Sequence, residues 1–503
     1  MRVLAMSLLA VLGWGIAASA RPTPCDPAGA DREAVAAARR AVEARCACDG
    51  FSSHGAYLRC TRPVLAERLR AGTLSASCRR AVRRILSRST CSYGKPRVAC
   101  CQESTRNRRQ SCRIAAASRC RSSANSTRTA CERTAFCADT RCDRNDAAPP
   151  TCAPQLLYSN EGNRLRRYDL DTVRTGPLVE DILIERASLG GLDINGQICA
   201  LPGGNGGFIA GEDTGQPDVP PGFGVFDASG RRVGKLTPTF QTQLAGATSN
   251  DEPFGCAFDG AGRLFTSDVG NQVTGPGNGQ LILWFPPFDR FPGAPGTFPN
   301  AERSTNFCKL LLDIPTAGSV ATDPEGRVYV TSARGGRVER LRPPFPTAAD
   351  AAGGCGGRDA LGSPVADTVD REVFIEGPRT FSGIVRSPAG GWFVAAVFNG
   401  VIEEYDPNGV LLRTIVAPEA GETTLPLSVG HPQGLAVDCQ GDLYYADLAL
   451  RISSGGSIGP GPNGKVRRVP FDVCGTPGRP EVVRDGLAFP DGLGVLDGDL
   501  EAR

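Results

Sequence analysis

The chain has 503 residues and a formal net charge of +3, which conceals two parts of opposite charge. Residues 21–152 contain 26 Lys and Arg against 11 Asp and Glu, whereas residues 153–503 contain 29 against 42. His54 and His431 are the only histidines, which excludes a metal site built from several histidines. Arg outnumbers Lys 52 to 4, a bias typical of a GC-rich bacterial genome.

The first twenty residues have the pattern of a cleavable secretory signal. Arg2 precedes an apolar run from Val3 to Ile16, and the small residues Ala18, Ser19 and Ala20 follow. No later stretch reaches the roughly 18 apolar residues that a transmembrane helix needs. We therefore expect a protein that is secreted, periplasmic or attached to the cell surface.

Twenty cysteines follow this segment, and fourteen of them lie between Cys25 and Cys152. An even number of cysteines in an exported chain predicts disulfides, which we expect to compensate for the small apolar content of residues 21–145. Residues 31–45 and 63–90 have helical periodicity, so this module is predicted to be small and α-helical. Zinc is disfavoured, because the cysteines lack the spacing of zinc-binding motifs and His54 is the only histidine nearby. Residues 146–152 form a proline-containing linker.

The basic module has several possible partners. Its arginines suit anionic polysaccharide, lipid headgroups or nucleic acid, or they form an ordinary solvated surface. No aromatic residues interleave with the arginines, and export also argues against nucleic acid. The solvated surface is the favoured interpretation.

A repeat defines the rest of the chain. Four windows align without gaps, and each contains a short apolar strand, an Asp/Ser-x-x-Gly turn and a second strand of β-branched or aromatic residues. Two shorter copies begin at Asn195 and Pro490, and the last copy supplies a single strand whose partners begin at Gln155. The repeat predicts an all-β six-bladed propeller over residues 153–503, with four-stranded blades and one-plus-three terminal closure. The windows are residues 253–268, 317–332, 381–396 and 432–447.

The window PQGLAVDCQGDLYYAD at 432–447 resembles the blade signature of NHL-repeat and gluconolactonase (senescence-marker protein)-like six-bladed propellers. The resemblance covers residues 153–503; no family is recognised for residues 21–152. It implies a divalent ion, calcium, in the channel, coordinated by Glu, Asn and Asp. Asp491 matches the family's P-D-G ligand position and Asn195 resembles its Asn-Gly position, whereas Gln433 replaces an Asp. Glu161 and Gly162 lack the proline of the family's Glu-Gly-Pro.

The repeat also predicts which side chains meet at one mouth of the channel. One position in each copy enters the innermost strand there, and loops between second and third strands add oxygen donors that suit a hard cation. His431 precedes Pro432 and is predicted to be a rim residue. The alternative is that Asp491 and Asn195 cap strand ends. The six positions are Asn195, Phe254, Gly318, Ser382, Gln433 and Asp491, and the loop donors are Glu161, Glu212, Asp213, Asp268, Asn271 and Asp447.

Two functions remain open from the sequence. The first is an exported propeller that binds a small molecule or a protein on one face, with the disulfide-stapled basic module as an adaptor. The alternative is a calcium-dependent or other divalent-metal lactonase that uses Asp491, Asn195, Glu161, Glu212 and Asp268. Among the later cysteines, two pairs are expected, Cys308 with Cys355 and Cys439 with Cys474.

Overall fold

The fold is known from a computed structural model. It describes residues 25, 31–48, 50–93, 97–106, 110–131, 136–137, 140, 142, 154–162, 164–185, 193–202, 206–213, 221–238, 252–270, 279–288, 303–304, 306–452 and 458–497. The predicted signal and linker segments lie outside these ranges. Within the ranges, no helix is long and apolar enough to span a bilayer.

The amino-terminal module begins with three helices, α1 (Arg32–Arg45), α2 (His54–Arg70) and α3 (Ala76–Ser87). The hydroxyl of Ser75 accepts a hydrogen bond from the Cys78 amide and caps α3, so the helical stretch predicted over 63–90 is divided between two short helices. The prediction of a wholly helical module is wrong for its second half. That half forms an antiparallel sheet of β1 (Arg97–Ser104), β2 (Gln110–Ala116) and β3 (Ser126–Cys131).

Disulfides replace much of the missing apolar core in this module. Six bonds close within it, and they restrict the unfolded chain where few large apolar side chains are available. The remaining apolar core lies between the helices and includes Val42, Leu65 and Leu86. The six bonds are Cys25–Cys78, Cys46–Cys60, Cys48–Cys91, Cys100–Cys120, Cys101–Cys142 and Cys112–Cys137.

A further disulfide crosses from the module to the β-rich region. Cys131 bonds to Cys474, so the predicted Cys439–Cys474 pair is wrong, although Cys439 is itself disulfide-bonded. The physical reason is proximity: β1 lies beside the turn that carries Cys474, and Cys101 Sγ lies 3.8 Å from the Val473 carbonyl oxygen. The predicted Cys308–Cys355 bond is confirmed. The described cysteines include no free thiol, which indicates an oxidising environment.

Six sheets follow, and each contains four consecutive antiparallel strands in the described residues. We number them 1 to 6 in chain order. Sheet 1 contains β4 (Gln155–Asn160), β5 (Arg164–Asp169), β6 (Glu180–Glu185) and β32 (Leu493–Asp497), with α4 (Leu170–Thr175) after β5. Sheet 2 contains β7 (Asp193–Ala200), β8 (Phe208–Asp213), β9 (Gly222–Phe226) and β10 (Arg232–Leu236). Sheet 3 contains β11 (Pro253–Phe258), β12 (Leu264–Asp268), β13 (Gly279–Trp284) and β15 (Phe307–Ile314).

The other three sheets repeat this order. Sheet 4 contains β16 (Ala317–Thr322), β17 (Val328–Ser332), β18 (Arg337–Arg342) and β21 (Asp370–Glu376). Sheet 5 contains β22 (Phe381–Arg386), β23 (Trp392–Ala396), β24 (Val401–Tyr405) and β25 (Leu411–Val416). Sheet 6 contains β26 (Pro432–Val437), β27 (Leu443–Asp447), β30 (Gly464–Val469) and β31 (Glu481–Leu487). Short strands add to these, namely β14 (Arg303–Ser304), β19 (Gly357–Arg358), β20 (Pro364–Val365), β28 (Arg451–Ile452) and β29 (Ile458–Gly459).

The sheets are arranged in a closed cycle, as in a β-propeller. The innermost strands β7, β11, β16, β22, β26 and β32 contact one another in this order, and β32 contacts β7 again. A separate apolar cluster fills each of the six interfaces between neighbouring sheets. In sheet 1, β32 pairs with β4, with Asp497 opposite Gln155, so the ends of this region meet where the repeat predicts.

Glycines allow the innermost strands to approach closely around this cycle. A Cβ atom on Gly196, Gly255, Gly383 or Gly492 would overlap a backbone oxygen of the next innermost strand. These oxygens belong to Phe254, Gly318, Gln433 and Gly196, respectively. We call this set of contacts the central ring.

The module attaches at the end of the propeller that carries the Asp-x-x-Gly turns. Arg40 of α1 forms an ion pair with Glu325 at 2.6 Å, in the turn between β16 and β17. Cys474 lies in the turn between β30 and β31. Because strands alternate in direction, both turns lie at the end opposite the predicted mouth. The mouth is therefore on the side away from these attachment points.

Gly492→Ala should lower stability by about 3 kcal/mol, because its Cβ would meet the Gly196 carbonyl inside the central ring. Gly260→Ala is the matched control, since a Cβ there has no atom within 4 Å. Denaturant unfolding of both variants measures the effect. Equal midpoints for the two variants would show that the ring tolerates a methyl group.

Candidate functional site at the mouth of the propeller

The six predicted mouth positions are almost entirely buried. Asp491 is fully buried, Asn195 and Ser382 are 5% exposed, and Phe254 is 2% exposed. Gln433 is the exception, because its side chain is partly exposed. Most of these side chains therefore serve the interior of the protein, and Gln433 is the position open to a ligand.

Asp491 joins sheet 1 to sheet 2. Its Oδ1 accepts a hydrogen bond from the Gly196 amide at 3.1 Å. Asn160, which the sequence analysis missed, completes the junction: its Oδ1 accepts from the Asp491 and Gly492 amides, and its Nδ2 donates to the Gly196 carbonyl at 2.9 Å. The alternative of a strand-capping role thus describes the contacts of Asp491.

In two other sheets, the side chain at the same register as Asn160 also forms a hydrogen bond to the next sheet. Ser267 Oγ donates to the Gly318 carbonyl, and Thr331 Oγ1 donates to the Ser382 carbonyl at 2.7 Å. Ser382 Oγ in turn lies 3.2 Å from the Pro432 carbonyl oxygen. Each of these bonds links one sheet to the innermost strand of the next. A polar residue at the last or next-to-last position of the second strand is the sequence signal for this role.

Four carboxylates lie within one residue of the end of the second strand of their sheets. They are Glu161, Glu212, Asp268 and Asp447. Glu161 pairs with Arg166, and Asp447 pairs with Arg467 at 2.9 Å, where both arginines belong to the third strand of the same sheet.

The other two carboxylates are also engaged. Glu212 Oε2 lies 2.6 Å from Arg232 and 3.2 Å from Lys235, both on the outer strand β10. Asp268 accepts hydrogen bonds from the Glu252 and Gly270 amides and from Gln280. Burial raises the pKa of Asp268 to about 7 despite these hydrogen bonds. Asn271 and the side chain of Asp213 lie outside the described residues.

These contacts bear on the predicted calcium site. Calcium takes six to eight oxygen ligands, yet in the described chain no three of the predicted carboxylates have oxygens within 4.8 Å of one another. The group that does meet this distance is Cys25, Asp31 and Cys78, whose cysteines are bonded to each other. Asn195 Oδ1 is buried and accepts no hydrogen bond from the described residues. The predicted carboxylates therefore do not form a three-carboxylate cluster, and Asn195 retains an unused oxygen.

His431 is fully buried beneath the mouth and organises the loop after β27. Its amide donates to Asp447 Oδ1 at 2.8 Å, and its Nδ1 accepts from the Leu450 amide at 3.1 Å. The ring is therefore neutral with its proton on Nε2. Burial lowers the pKa of His431, although the negative charges of Asp447 and Glu422 oppose this shift.

The loop that His431 holds contributes to an apolar cluster at the mouth. Buried Val397, Leu448 and Leu450 pack together there with partly buried Phe489. They come from the second-to-third-strand loops of sheets 5 and 6 and from the segment that leads into β32. Phe398 follows Val397 and is 55% exposed. We call these five residues the mouth ledge; sequence reasoning missed it because its members belong to no repeat position.

Comparisons with known proteins found solved structures only: no family model and no curated protein matches the chain. A regucalcin of Agrobacterium tumefaciens, described as calcium-binding, is 16% identical, with a TM-score of 0.36 over 57% of this chain and 75% of that chain. A gluconolactonase of Xanthomonas campestris is 13% identical, with a TM-score of 0.34 over 58% and 83%. A chain of a nidogen/laminin complex is 12% identical, with a TM-score of 0.40 over 68% and 98%.

The names of the first two structures, a regucalcin and a gluconolactonase, agree with the gluconolactonase-like resemblance found in the sequence. At these identities and TM-scores, the chemistry of the site has to be derived from the residues of this chain.

His431 should make the protein less stable as the pH drops below about 6.5, because the unfolded chain then takes up a proton that buried His431 does not. Buried Asp268, whose pKa is raised to about 7, acts in the opposite direction in the wild type and in the variant alike. His431→Asn keeps an acceptor near the position of Nδ1 but does not titrate, so its melting temperature relative to wild type should be higher at pH 5 than at pH 7.5, by on the order of a few degrees. Val410→Ser, at an exposed position that does not titrate, is the control and should keep the wild-type pH dependence. Identical pH profiles for all three proteins would remove His431 as the cause.

Proposed function

We propose that the protein is an exported six-bladed β-propeller that binds a small molecule or a protein partner at its mouth. The six sheets are the six blades, and the predicted domains are a signal at 1–20, a basic module at 21–145, a linker at 146–152 and the propeller at 153–503. The observation that carries the function is the mouth ledge. Within it, Phe398 is 55% exposed next to a buried apolar cluster that neighbouring blades contribute, and an exposed aromatic side chain at such a place supports a binding site.

The surroundings of the ledge support binding more than hydrolysis. Glu161, Glu212, Asp268 and Asp447 are neutralised by basic side chains or bound by amides of the same chain. Ile452 and Ile458 face each other across the β28–β29 hairpin of blade 6, at the mouth end, and are 62% and 54% exposed. The mouth therefore offers apolar area together with the amide of Gln433.

Phe398→Ser should remove exposed apolar area from the ledge without disturbing the core. The fluorescence of an anilinonaphthalene sulfonate dye bound to the native protein should fall at least roughly threefold, because the variant loses most of the apolar contact that one aromatic ring provides. Val410→Ser is the matched control, because Val410 is 60% exposed in a turn at the opposite end. Equal loss in both variants, or no loss in Phe398→Ser, would argue against a ligand surface at the ledge.

A divalent-metal lactone hydrolase is the second candidate. The unused, buried oxygen of Asn195 favours it, since Asn195 precedes Gly196, whose amide binds Asp491. A bound cation would supply polarisation of a lactone carbonyl. Asn195 and Asp491 are the residues of this chain that would hold it.

Metal analysis separates the two candidates. Under the binding proposal, purified protein contains no stoichiometric divalent ion, and calcium leaves the melting temperature unchanged. Asp491→Ala then costs about 1–3 kcal/mol by leaving the Gly196 amide unpaired, whereas Asp491→Asn keeps an acceptor and costs less. One equivalent of metal that is lost in Asp491→Asn would favour the hydrolase.

A further inference from the structure

The basic module displays far more positive than negative charge. In its described part, twelve arginines are exposed, against two exposed acids. Both acids are already paired, Glu43 with Arg39 and Glu67 with Arg45. The exposed arginines are Arg45, Arg59, Arg62, Arg70, Arg80, Arg83, Arg84, Arg97, Arg106, Arg113, Arg119 and Arg121.

Five of these arginines lie on the exposed sides of two packed helices. Arg80, Arg83 and Arg84 are spaced three and four residues apart, so they share one side of α3. Arg59 and Arg62 lie one turn apart on α2, which packs against α3. We call these five residues the arginine face. α3 contains no acidic residue that could neutralise it.

Arginines of the propeller, in contrast, form ion pairs with carboxylates of the same chain. Arg166, Arg371 and Arg467 form ion pairs with Glu161, Glu339 and Asp447 within their own sheets. Within the described ranges, by contrast, no ion pair joins Arg59, Arg62, Arg80 or Arg83 to a carboxylate of the chain. The charges of these four arginines are therefore directed to solvent.

The module offers a rigid surface without an apolar anchor. Every large apolar side chain that is strongly exposed in the described residues belongs to the propeller, from Val179 onward. Helices that insert into lipid need such side chains. Disulfides hold α2 and α3 in place through Cys60 and Cys78, so little backbone order is lost on binding.

We propose that the arginine face binds an acidic polysaccharide. Sulfate, phosphate and carboxylate groups each accept paired hydrogen bonds from a guanidinium group, and a hydrated polysaccharide needs no apolar contact. Repeated anionic groups would engage neighbouring arginines on α2 and α3 together. This site is separate from the mouth ledge and does not depend on it.

The test uses full-length protein and heparin, a sulfated polysaccharide, with polygalacturonate as a carboxylated probe. Arg80→Glu/Arg83→Glu should weaken heparin binding at least roughly 30-fold, since each arginine contributes about 1 kcal/mol near an anionic surface. The salt dependence of the dissociation constant should become shallower. Arg334→Glu/Arg479→Glu is the control: it changes net charge equally, at exposed arginines of the propeller, and should bind like wild type.

Other results would overturn the proposal. Equal weakening in both double variants would mean that net charge acts without a site. Tighter binding to anionic phospholipid vesicles or to duplex DNA would assign the face to another partner. Salt-dependent dimers in light scattering, lost in Arg80→Glu/Arg83→Glu, would show that it binds the acidic propeller of a second copy. Both double variants should melt at the wild-type temperature, which separates lost binding from lost folding.

Discussion

The close approach of the innermost strands is the constraint on which the propeller depends. Neighbouring sheets come together with backbone against backbone, so a Cβ atom has no room at Gly196 or Gly492. Side chains then secure the same junctions: Asn160 and Asp491 join sheet 1 to sheet 2, and Thr331 joins sheet 4 to sheet 5. The apolar clusters farther out can form only when this spacing is kept.

The close packing of the strands also buries charged groups. Carboxylates at the ends of second strands are buried by the same packing, and a buried charge is costly unless it is paired. Arg166 and Arg467 meet this need from the adjacent third strand, and Arg232 with Lys235 meets it from the outer strand. The carboxylates that the sequence predicts as metal ligands thus also have structural partners. In the described part of the amino-terminal module, by contrast, twelve arginines are exposed to solvent.

The repeat was predictable because each copy combines period-two apolar strands with an Asx turn. The Asp259 and Asp323 carboxylates accept amides two or four residues later, which explains why Asp-x-x-Gly recurs. The site was less predictable. The strand register places Asp491 correctly at the junction, but the partner of a carboxylate depends on side-chain direction across strands, which the repeat does not encode. Asn160 and Phe398 were missed for related reasons, since neither belongs to the signature.

In the amino-terminal module, the strands and the disulfide pairing could not be predicted from the sequence. Residues 97–131 contain cysteines and small polar residues instead of an apolar alternation, so periodicity gives no strand signal there. Pairing among fourteen neighbouring cysteines was also open, and a partner as distant as Cys474 leaves no local trace.

The Cys131–Cys474 bond also sets an order of events during synthesis. Its two cysteines are 343 residues apart, so Cys131 is made long before its partner. The bonds within the module can form as soon as the module has been made, whereas Cys131 cannot reach its native partner until sheet 6 has been made. β32, the strand that completes sheet 1, follows later still. The covalent link between the module and the β-rich region is therefore among the last parts of the structure to form.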